Sequence, residues 1–382
     1  MARFDDDPAK IAAMRVRLLG WYAQHQRNLP WRQSSDPYAI WVSEIMLQQT
    51  RAAVVAVRYQ EFMERFPTLI ALALAPEQDV LALWSGLGYY RRARMLHKAA
   101  QFVAAHLGGN LPARAEELRA LPGIGAYTAA AVASIAHGEP VAVVDGNVER
   151  VLCRLAGWEA GSRKGGGATL RHKIENLARR LLDRARPGDF NQAIMELGAT
   201  VCAPRNPQCA VCPLLADCRM RGEHKTPRRT PMISRAVGYA LSVRTETASK
   251  KRHGPGGREV LLEQRPAQQT VMPGMWELPM LVRSDVPEKD LRMTVRHAIM
   301  QVNYYVRIRT VFEDDIAGMT VAGGERRWVP LREAAGMALT GLARKVLSRA
   351  HLLPAPPLDS FAPSAGKDVK SAAEHERTTR RG

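Results

Sequence analysis

Hydrophobic residues recur every three or four positions through the first part of the chain, which is the spacing of helices that bury one face. Ile11, Met14, Leu18 and Trp21 share one side of a predicted helix within residues 1–28. Leu29-Pro30-Trp31-Arg32 ends that helix, and Asp36-Pro37 starts the next with an N-cap and a first-turn proline. The same spacing predicts further helices over 52–66, 78–84, 90–107, 126–137, 170–184 and 190–200. The pattern therefore predicts an all-helical region that extends to about residue 222.

The pattern changes to alternation after that point. Strands are predicted at Val237–Val243, Glu259–Glu263 and Tyr304–Thr310, which indicates an α+β domain over 237–352. Residues 223–236 are rich in Pro, Thr and basic side chains and are predicted to be a linker. Residues 353–382 are predicted to be a disordered tail, and Gly161–Gly167 a flexible loop.

Charge narrows the function classes. The chain has 55 Lys and Arg against 37 Asp and Glu, a net charge of +18, which favours a polyanionic partner such as nucleic acid. We find no apolar run long enough to cross a membrane, and the acidic N-terminus does not fit a signal peptide. We therefore expect a cytoplasmic protein.

Four of the five cysteines follow the spacing Cys202-x6-Cys209-x2-Cys212-x5-Cys218. Such crowding indicates metal ligation in a reducing compartment rather than disulfides. Only one Cys-x-x-Cys pair is present, so spacing alone leaves zinc and an iron–sulfur cluster open. Cys153 lies on an apolar helix side and is predicted to be a buried thiol.

Two glycine turns are candidate nucleic-acid contacts. In Leu121–Gly125, Gly123 and Gly125 leave backbone amides uncovered at the start of a helix, where an anion is favoured. Taken alone, this motif is more typical of an ordinary tight turn. Gly86–Arg92 adds aromatic side chains that can stack on bases and arginines that can pair with phosphates.

Two carboxylates are candidate catalytic groups. Glu44 lies in an apolar helical stripe with Ile40 and Leu47, where desolvation would raise its pKa. Periodicity alone favours a salt-bridged surface acid equally. Asp145 heads the next helix, where it can be a plain N-cap or an ionised carboxylate held in a site.

Several longer strings carry a family resemblance. LPGIGAYTA, VDGNV, WVSEIMLQQT, WSGLGYYRRARMLHKAA and FNQAIMELGATVC resemble the helix-hairpin-helix base-excision glycosylases and, within them, the adenine DNA glycosylases of the MutY type. The resemblance covers about Leu29–Cys218. It implies a mainly α glycosylase fold over residues 1–222, with a six-helix module near 29–138 and a cluster lobe formed by 1–28 plus 139–222. The later QRP…GMWELP pattern resembles the Nudix-like C-terminal domain of the same enzymes.

The resemblance also implies a monofunctional glycosylase for adenine mispaired with 8-oxoguanine or guanine. Glu44 is implied as the general acid and Asp145 as the group that stabilises the cationic sugar, with Tyr127 and Asn147 orienting the two acids. Relatives that also nick the backbone carry a lysine at the position of Tyr127, and tyrosine cannot form its Schiff base.

Further roles are implied residue by residue. The residues implied to contact DNA or the extruded base are Trp31, Arg32, Gln48, Gln49, Tyr89, Gly123, Gly125, Gln192 and Gln301. Among them, Gln49 and Tyr89 are implied as wedges that enter the base stack. The four spaced cysteines are implied to hold one 4Fe–4S cluster. The expected partner is mismatched duplex DNA in a bacterial nucleoid, and we expect a monomer.

One departure from the family concerns the opposite strand. Ile299-Met300-Gln301 stands where the family carries a Phe-Ser-His group that checks for 8-oxoguanine, although Gln301 can still hydrogen-bond. We find no full Nudix box of glutamates. The rival hypotheses are an endonuclease III-like glycosylase and lyase, which Tyr127 opposes, and a non-catalytic iron–sulfur DNA-binding protein; a Nudix hydrolase is the weakest.

Overall fold

The computed structural model describes residues 7–159, 167–222, 231–245, 257–282, 284, 286–312, 315 and 324–354. Its helices are α1 (Pro8–His25), α2 (Pro37–Leu47), α3 (Ala52–Arg65), α4 (Leu69–Leu74), α5 (Glu77–Leu83), α6 (Arg91–His106), α7 (Ala115–Leu118), α8 (Ala126–His137), α9 (Gly146–Ala156), α10 (Gly167–Leu181), α11 (Pro187–Thr200), α12 (Leu331–Ala334) and α13 (Gly341–Arg349). Its strands are β1 (Ile233–Leu241), β2 (Val243–Thr245), β3 (Arg258–Gln264), β4 (Trp276–Glu277), β5 (Leu291–Ile299), β6 (Val302–Thr310) and β7 (Arg326–Pro330). Within those residues, no helix is both long enough and apolar enough to cross a membrane.

The first helical lobe comprises α2–α8 around one hydrophobic core. Trp41, Phe62 and Trp84 are fully buried at its centre. The helix α2 begins where the sequence predicts, because the Asp36 carboxylate accepts a hydrogen bond from the Tyr38 amide (3.0 Å) and Pro37 occupies the first turn. That cap fixes the direction in which α2 presents its side chains.

The second helical lobe joins α1 to α9–α11 and the cysteine-rich loop around a separate core. Ile11, Met14 and Leu18 of the predicted stripe are buried there. Trp21, the fourth member of the stripe, is partly buried, packs against the same core and stacks on His25, and Tyr22 is buried in that core as well. The predicted loop 161–167 lies outside the described residues except for Gly167, which begins α10.

The C-terminal domain contains two sheets. In the first sheet, of order β1-β6-β5, β1 runs parallel to β6 and β5 pairs antiparallel with β6. In the second, β3 pairs antiparallel with β2, β4 and β7. The helix α13 packs its buried side chains into the core of this domain. This α+β architecture agrees with the Nudix-like domain that the sequence predicts.

Two predicted boundaries of this domain need correction. The strand β1 begins at Ile233, inside the segment predicted as a linker, because Ile233–Leu241 pair in register with Val302–Thr310. Leu353 was predicted to lie in the disordered tail, but it is 6% exposed and packs in the domain core. Residues 355–382 lie outside the described residues.

The C-terminal domain contacts the first lobe directly. Met275 and Ala338 pack into the hydrophobic core of that lobe. Arg344 Nε donates to Ser85 Oγ (2.7 Å), and the Tyr90 hydroxyl donates to the carbonyl of Leu339 (3.3 Å). The domain is therefore anchored on the loop between α5 and α6.

Candidate active site

A cavity of about 670 Å³ lies between the two helical lobes. The first lobe contributes side chains from α2 and α8, and the second from α9 and α11. Most of the residues that the sequence singles out line this one cavity: Trp31, Arg32, Glu44, Gln48, Gln49, Tyr127, Asp145, Asn147 and Gln192. Residues from distant parts of the chain are thus brought to one place.

Glu44 is the buried acid of the cavity. Glu44 lies on α2 and is only 5% exposed. Its Oε2 accepts a hydrogen bond from the Tyr127 hydroxyl at 2.6 Å. Burial raises the pKa of Glu44 to about 7; the Tyr127 hydrogen bond and the Arg32 charge lower it, while the Asp145 carboxylate raises it. The surface-acid alternative is therefore wrong, and this carboxyl can carry a proton near neutral pH.

Tyr127 projects from the first turn of α8 towards Glu44. Burial, followed by the Glu44 carboxylate, raises the pKa of Tyr127 well above its ordinary value of 10.0. The phenol therefore keeps its proton and acts as a donor. Its oxygen also lies 3.4 Å from the Met195 sulfur, so that α11 closes this side of the cavity.

Asp145 is held by the N-terminus of α9. Its Oδ1 accepts from the Val148 amide (2.7 Å), and its Oδ2 accepts from the Asn147 side-chain amide (3.1 Å). Arg150 Nη2 in turn donates to Asn147 Oδ1 (2.8 Å), which fixes the orientation of that amide. Asp145 therefore has two roles at once. Its Oδ1 caps α9, and its carboxylate also lines the cavity.

Another part of the cavity wall combines an aromatic ring with polar groups. Trp31 is buried and meets Tyr59 edge to face, with ring centroids 5.7 Å apart. Arg32 Nη1 donates to the Arg27 carbonyl (3.0 Å). Within the described part of the chain, no hydrogen bond reaches the Gln192 side chain, so its amide is available to a ligand.

Sequence reasoning missed Glu196, which lies on the cavity wall and is 1% exposed. Burial by itself raises its pKa, but hydrogen bonds from Arg27 (2.7 Å) and Arg32 (2.8 Å) outweigh this and lower the pKa to about 2. The available signal was its position four residues after Gln192, on the same face of α11.

A second cavity, of about 340 Å³, lies beside the first. Gln48, Gln49, Tyr89 and Gly123 line it together. Gly123 has φ of +76°, and a Cβ added there would lie 2.5 Å from Met95 Cβ, so the hairpin requires glycine at this position. Gly125 is exposed at the N-cap of α8.

Gln301 lies apart from both cavities. It is exposed in the turn between β5 and β6, next to Met300, which is 74% exposed and has φ of +53°. Two side chains therefore project from the tip of this hairpin.

The four spaced cysteines lie in the loop after α11. Burial is the largest cause that raises the pKa of Cys212; a backbone hydrogen bond at Leu214 lowers it, the charges of Cys202, Cys218 and Cys209 raise it, and the net pKa is about 11. Arg154 Nη1 donates to Cys202 Sγ at 3.2 Å. Among the described residues, no three His, Cys, Asp or Glu side chains are grouped tightly enough for a single metal ion.

Comparison with known proteins defines the class of this fold and site. Residues 42–176 match the family described as HhH-GPD superfamily base excision DNA repair protein. A solved structure of a thermostable thymine-DNA glycosylase is 30% identical and covers 56% of this chain and 98% of that chain, with a TM-score of 0.50. The chain belongs to the HhH-GPD superfamily.

Within that superfamily, the chain is similar to adenine DNA glycosylases. The adenine DNA glycosylase of Homo sapiens is 49% identical over 224 residues, which are 56% of this chain and 40% of that protein. The adenine DNA glycosylase of Arabidopsis thaliana is 37% identical over 329 residues, 77% of this chain and 50% of that protein. The chain thus spans half or less of the length of these two relatives.

Proposed function

We propose that this protein is a DNA repair glycosylase that releases adenine from duplex DNA. The observation that carries the proposal is the shared cavity of Glu44 and Asp145. One carboxyl has a pKa of about 7 and can hold a proton, and the other is fixed beside it by a helix N-terminus. Cleavage of an N-glycosidic bond requires such a pair.

The reaction can be written with the two acids in separate roles. Glu44 gives its proton to N7 of the adenine ring, and the bond between the base and C1′ breaks with its electron pair moving to the base. The sugar becomes an oxocarbenium ion, which the Asp145 carboxylate stabilises. A water molecule then adds to C1′ and passes a proton to the Glu44 carboxylate, which restores the acid. Tyr127 and Asn147 orient Glu44 and Asp145 through the hydrogen bonds described above.

The adenine must leave the base stack to reach this cavity. Gln192 offers a donor and an acceptor to its edge, while Trp31 and Arg32 line the pocket. In this proposal Gln49 and Tyr89 are the wedges that fill the space it leaves. Both are exposed beside the second cavity, which supports the role.

The duplex is held by its phosphates. The hairpin of Gly123 and Gly125 exposes backbone amides at the N-terminus of α8, and the net charge of +18 attracts the polyanion. We place the duplex over the junction of the two lobes, with the hairpin on its backbone.

Tyr127 determines the reaction type in this proposal. A lyase needs an amine at the site to form a Schiff base with the sugar. The hydroxyl 2.6 Å from Glu44 cannot do so, which favours a monofunctional glycosylase over an endonuclease III-like enzyme.

The four spaced cysteines would hold one 4Fe–4S cluster. An all-thiolate donor set suits such a cluster, and a four-iron cube keeps its ligands farther apart than one ion does. The spacing Cys202-x6-Cys209-x2-Cys212-x5-Cys218, which resembles the cluster loop of these glycosylases, supports this choice over zinc. When bound, the cluster would be structural and shape the loop after α11.

The proposed mispair is adenine opposite 8-oxoguanine or guanine, with Gln301 reaching the opposite strand. The test measures adenine release from duplexes that place adenine opposite 8-oxoguanine, guanine, cytosine or thymine. We expect release from the first two only. Absence of release from all four would overturn the enzyme assignment, and equal release from all four would overturn the mispair assignment.

A further inference from the structure

The guanidinium of Arg92 joins two separate segments of the first lobe. Arg92 lies in the first turn of α6, and its side chain is directed between the end of α2 and the loop before α6. Its Nη1 donates to the carbonyls of Ile45 (2.8 Å), Met46 (2.9 Å) and Gln48, and its Nη2 donates to the carbonyls of Leu87 (2.9 Å) and Gly88 (3.1 Å) and to Thr50 Oγ1 (3.1 Å).

Two of these carbonyls directly precede exposed residues with an unusual backbone. Gln49, after the carbonyl of Gln48, has φ of +57°, and Tyr89, after that of Gly88, has φ of +46°. Side chains other than glycine rarely adopt this left-handed region, because the Cβ crowds the following carbonyl. Such a conformation persists only where the surroundings hold it.

Arginine is suited to this task because its planar group carries donors in fixed directions. A lysine at the same place would be a single flexible charge and could not span both segments at once. The guanidinium is also enclosed by aromatic rings, since its carbon lies 5.4 Å from the Trp84 ring centroid and 5.6 Å from that of Tyr89. Arg92 therefore fixes the end of α2 and the loop before α6 relative to each other.

We propose that Arg92 is a positioning residue that holds Gln49 and Tyr89 in the orientation needed to extrude the target base. The proposal rests on the proposed function, in which these two side chains are the wedges. Arg92 acts on them through the backbone carbonyls that precede them, and it lines the second cavity together with them.

The experiment follows base extrusion directly. The fluorescent analogue 2-aminopurine replaces the target adenine opposite 8-oxoguanine, and the protein carries Glu44→Gln so that the base is not removed. Unstacking of the analogue raises its fluorescence. In this background Arg92→Lys should slow the fluorescence rise at least about tenfold at saturating protein, since small misplacements of positioning groups carry penalties of this size. The dissociation constant for the duplex should change much less.

The matched control is Arg94→Lys, on the same helix. Arg94 bonds to Glu77 (2.9 Å) and to the Pro273 carbonyl (2.6 Å) and reaches neither wedge segment, so extrusion should stay at the parent rate. Thr50→Val is the second variant and serves if Arg92→Lys fails to fold. It removes a hydroxyl that accepts from Arg92 and donates to the Leu87 carbonyl (3.2 Å), and it should slow extrusion in the same direction.

The outcomes separate the two proposals. Parent-rate extrusion by a folded Arg92→Lys variant, or by Thr50→Val where the first variant does not fold, would overturn the positioning role. An equal slowing by Arg94→Lys would also overturn it, because the effect would then be a general one of α6. Failure of the unaltered protein to release adenine in the duplex assay would instead overturn the proposed function.

Discussion

The hydroxyl oxygen of Tyr127 lies 2.6 Å from Oε2 of Glu44 and donates a hydrogen bond to it. This bond stabilises the ionised carboxylate, whereas burial and the nearby Asp145 carboxylate favour the protonated form. Burial dominates, and the pKa settles at about 7. Tyr127 therefore restrains the shift that burial produces, and the balance leaves Glu44 able to donate a proton at neutral pH.

The first prediction concerns pH. Because Glu44 must be protonated to donate, single-turnover adenine release should be fast below about pH 7 and fall about tenfold per pH unit well above it. Tyr127→Phe removes a hydrogen bond that lowers the pKa of Glu44. The pH above which the rate of adenine release falls should therefore be higher in this variant. If the rate falls at the same pH as in the unaltered protein, or at a lower pH, Tyr127 does not lower the pKa of Glu44 as assigned.

Glu44→Gln should abolish chemistry without abolishing binding. The amide has a similar shape but no acidic proton, so release should fall by at least about a hundredfold, the lower range for a general acid. Duplex affinity, measured by a mobility shift, should remain near that of the parent. The exposed Glu64→Gln is the matched control and should leave both quantities unchanged. Loss of binding and release together would indicate a folding defect and remove support for the assignment.

Tyr127→Lys tests the reaction type. An amine placed beside Glu44 and Asp145 can attack the sugar and form a Schiff base, which leads to strand cleavage. We expect this variant to nick adenine-containing duplexes and to be trapped on DNA by borohydride. The unaltered protein should release the base and leave the strand intact; nicking by it would contradict the monofunctional assignment.

Affinity for the duplex should depend steeply on salt. If about six phosphates are contacted, the association constant should fall on the order of a thousandfold between about 50 and about 200 mM salt. Titrations at several salt concentrations give the slope. A flat response would be inconsistent with a duplex held through its phosphates.

Gly123→Ala should destabilise the fold. The residue has φ of +76° and its new Cβ would lie 2.5 Å from Met95 Cβ, so backbone strain and overpacking together should reduce the free energy of unfolding by about 2 kcal/mol or more. Gly125→Ala is the matched control: φ is −86° there and no atom lies within 4 Å of the added Cβ. Denaturant unfolding compares the two, and equal stability would show that the hairpin tolerates a side chain at Gly123.

The sequence predicted a large part of the fold because the relevant signals are local. Asp36 caps α2 and Pro37 occupies its first turn, so adjacent residues are enough to predict where α2 begins. Asp145 caps α9 in the same way. Boundaries were less accurate where pairing decides them. Ile233 belongs to a strand because Val302, far along the chain, pairs with it.

The site was predicted less completely. Glu44 stood out because an acid inside an apolar stripe is unusual, but the stripe left a surface acid equally open. Its actual burial and its bond to Tyr127, 83 positions away, decided the matter. Glu196 was harder to find from the sequence, because its lowered pKa depends in part on a hydrogen bond from Arg32, 164 positions away in the chain.

By itself, the sequence determined the helices and their caps, the hairpin glycines, the cysteine spacing and the family of the chain. Each of these features depends on residues that are close together in the sequence. Only the tertiary structure decided which carboxyl has a raised pKa, which is bound by arginines, and which guanidinium bonds to the carbonyls before Gln49 and Tyr89. The physical reason is that desolvation and charge pairing depend on distances through space, and those distances exist only once the two lobes have packed against each other.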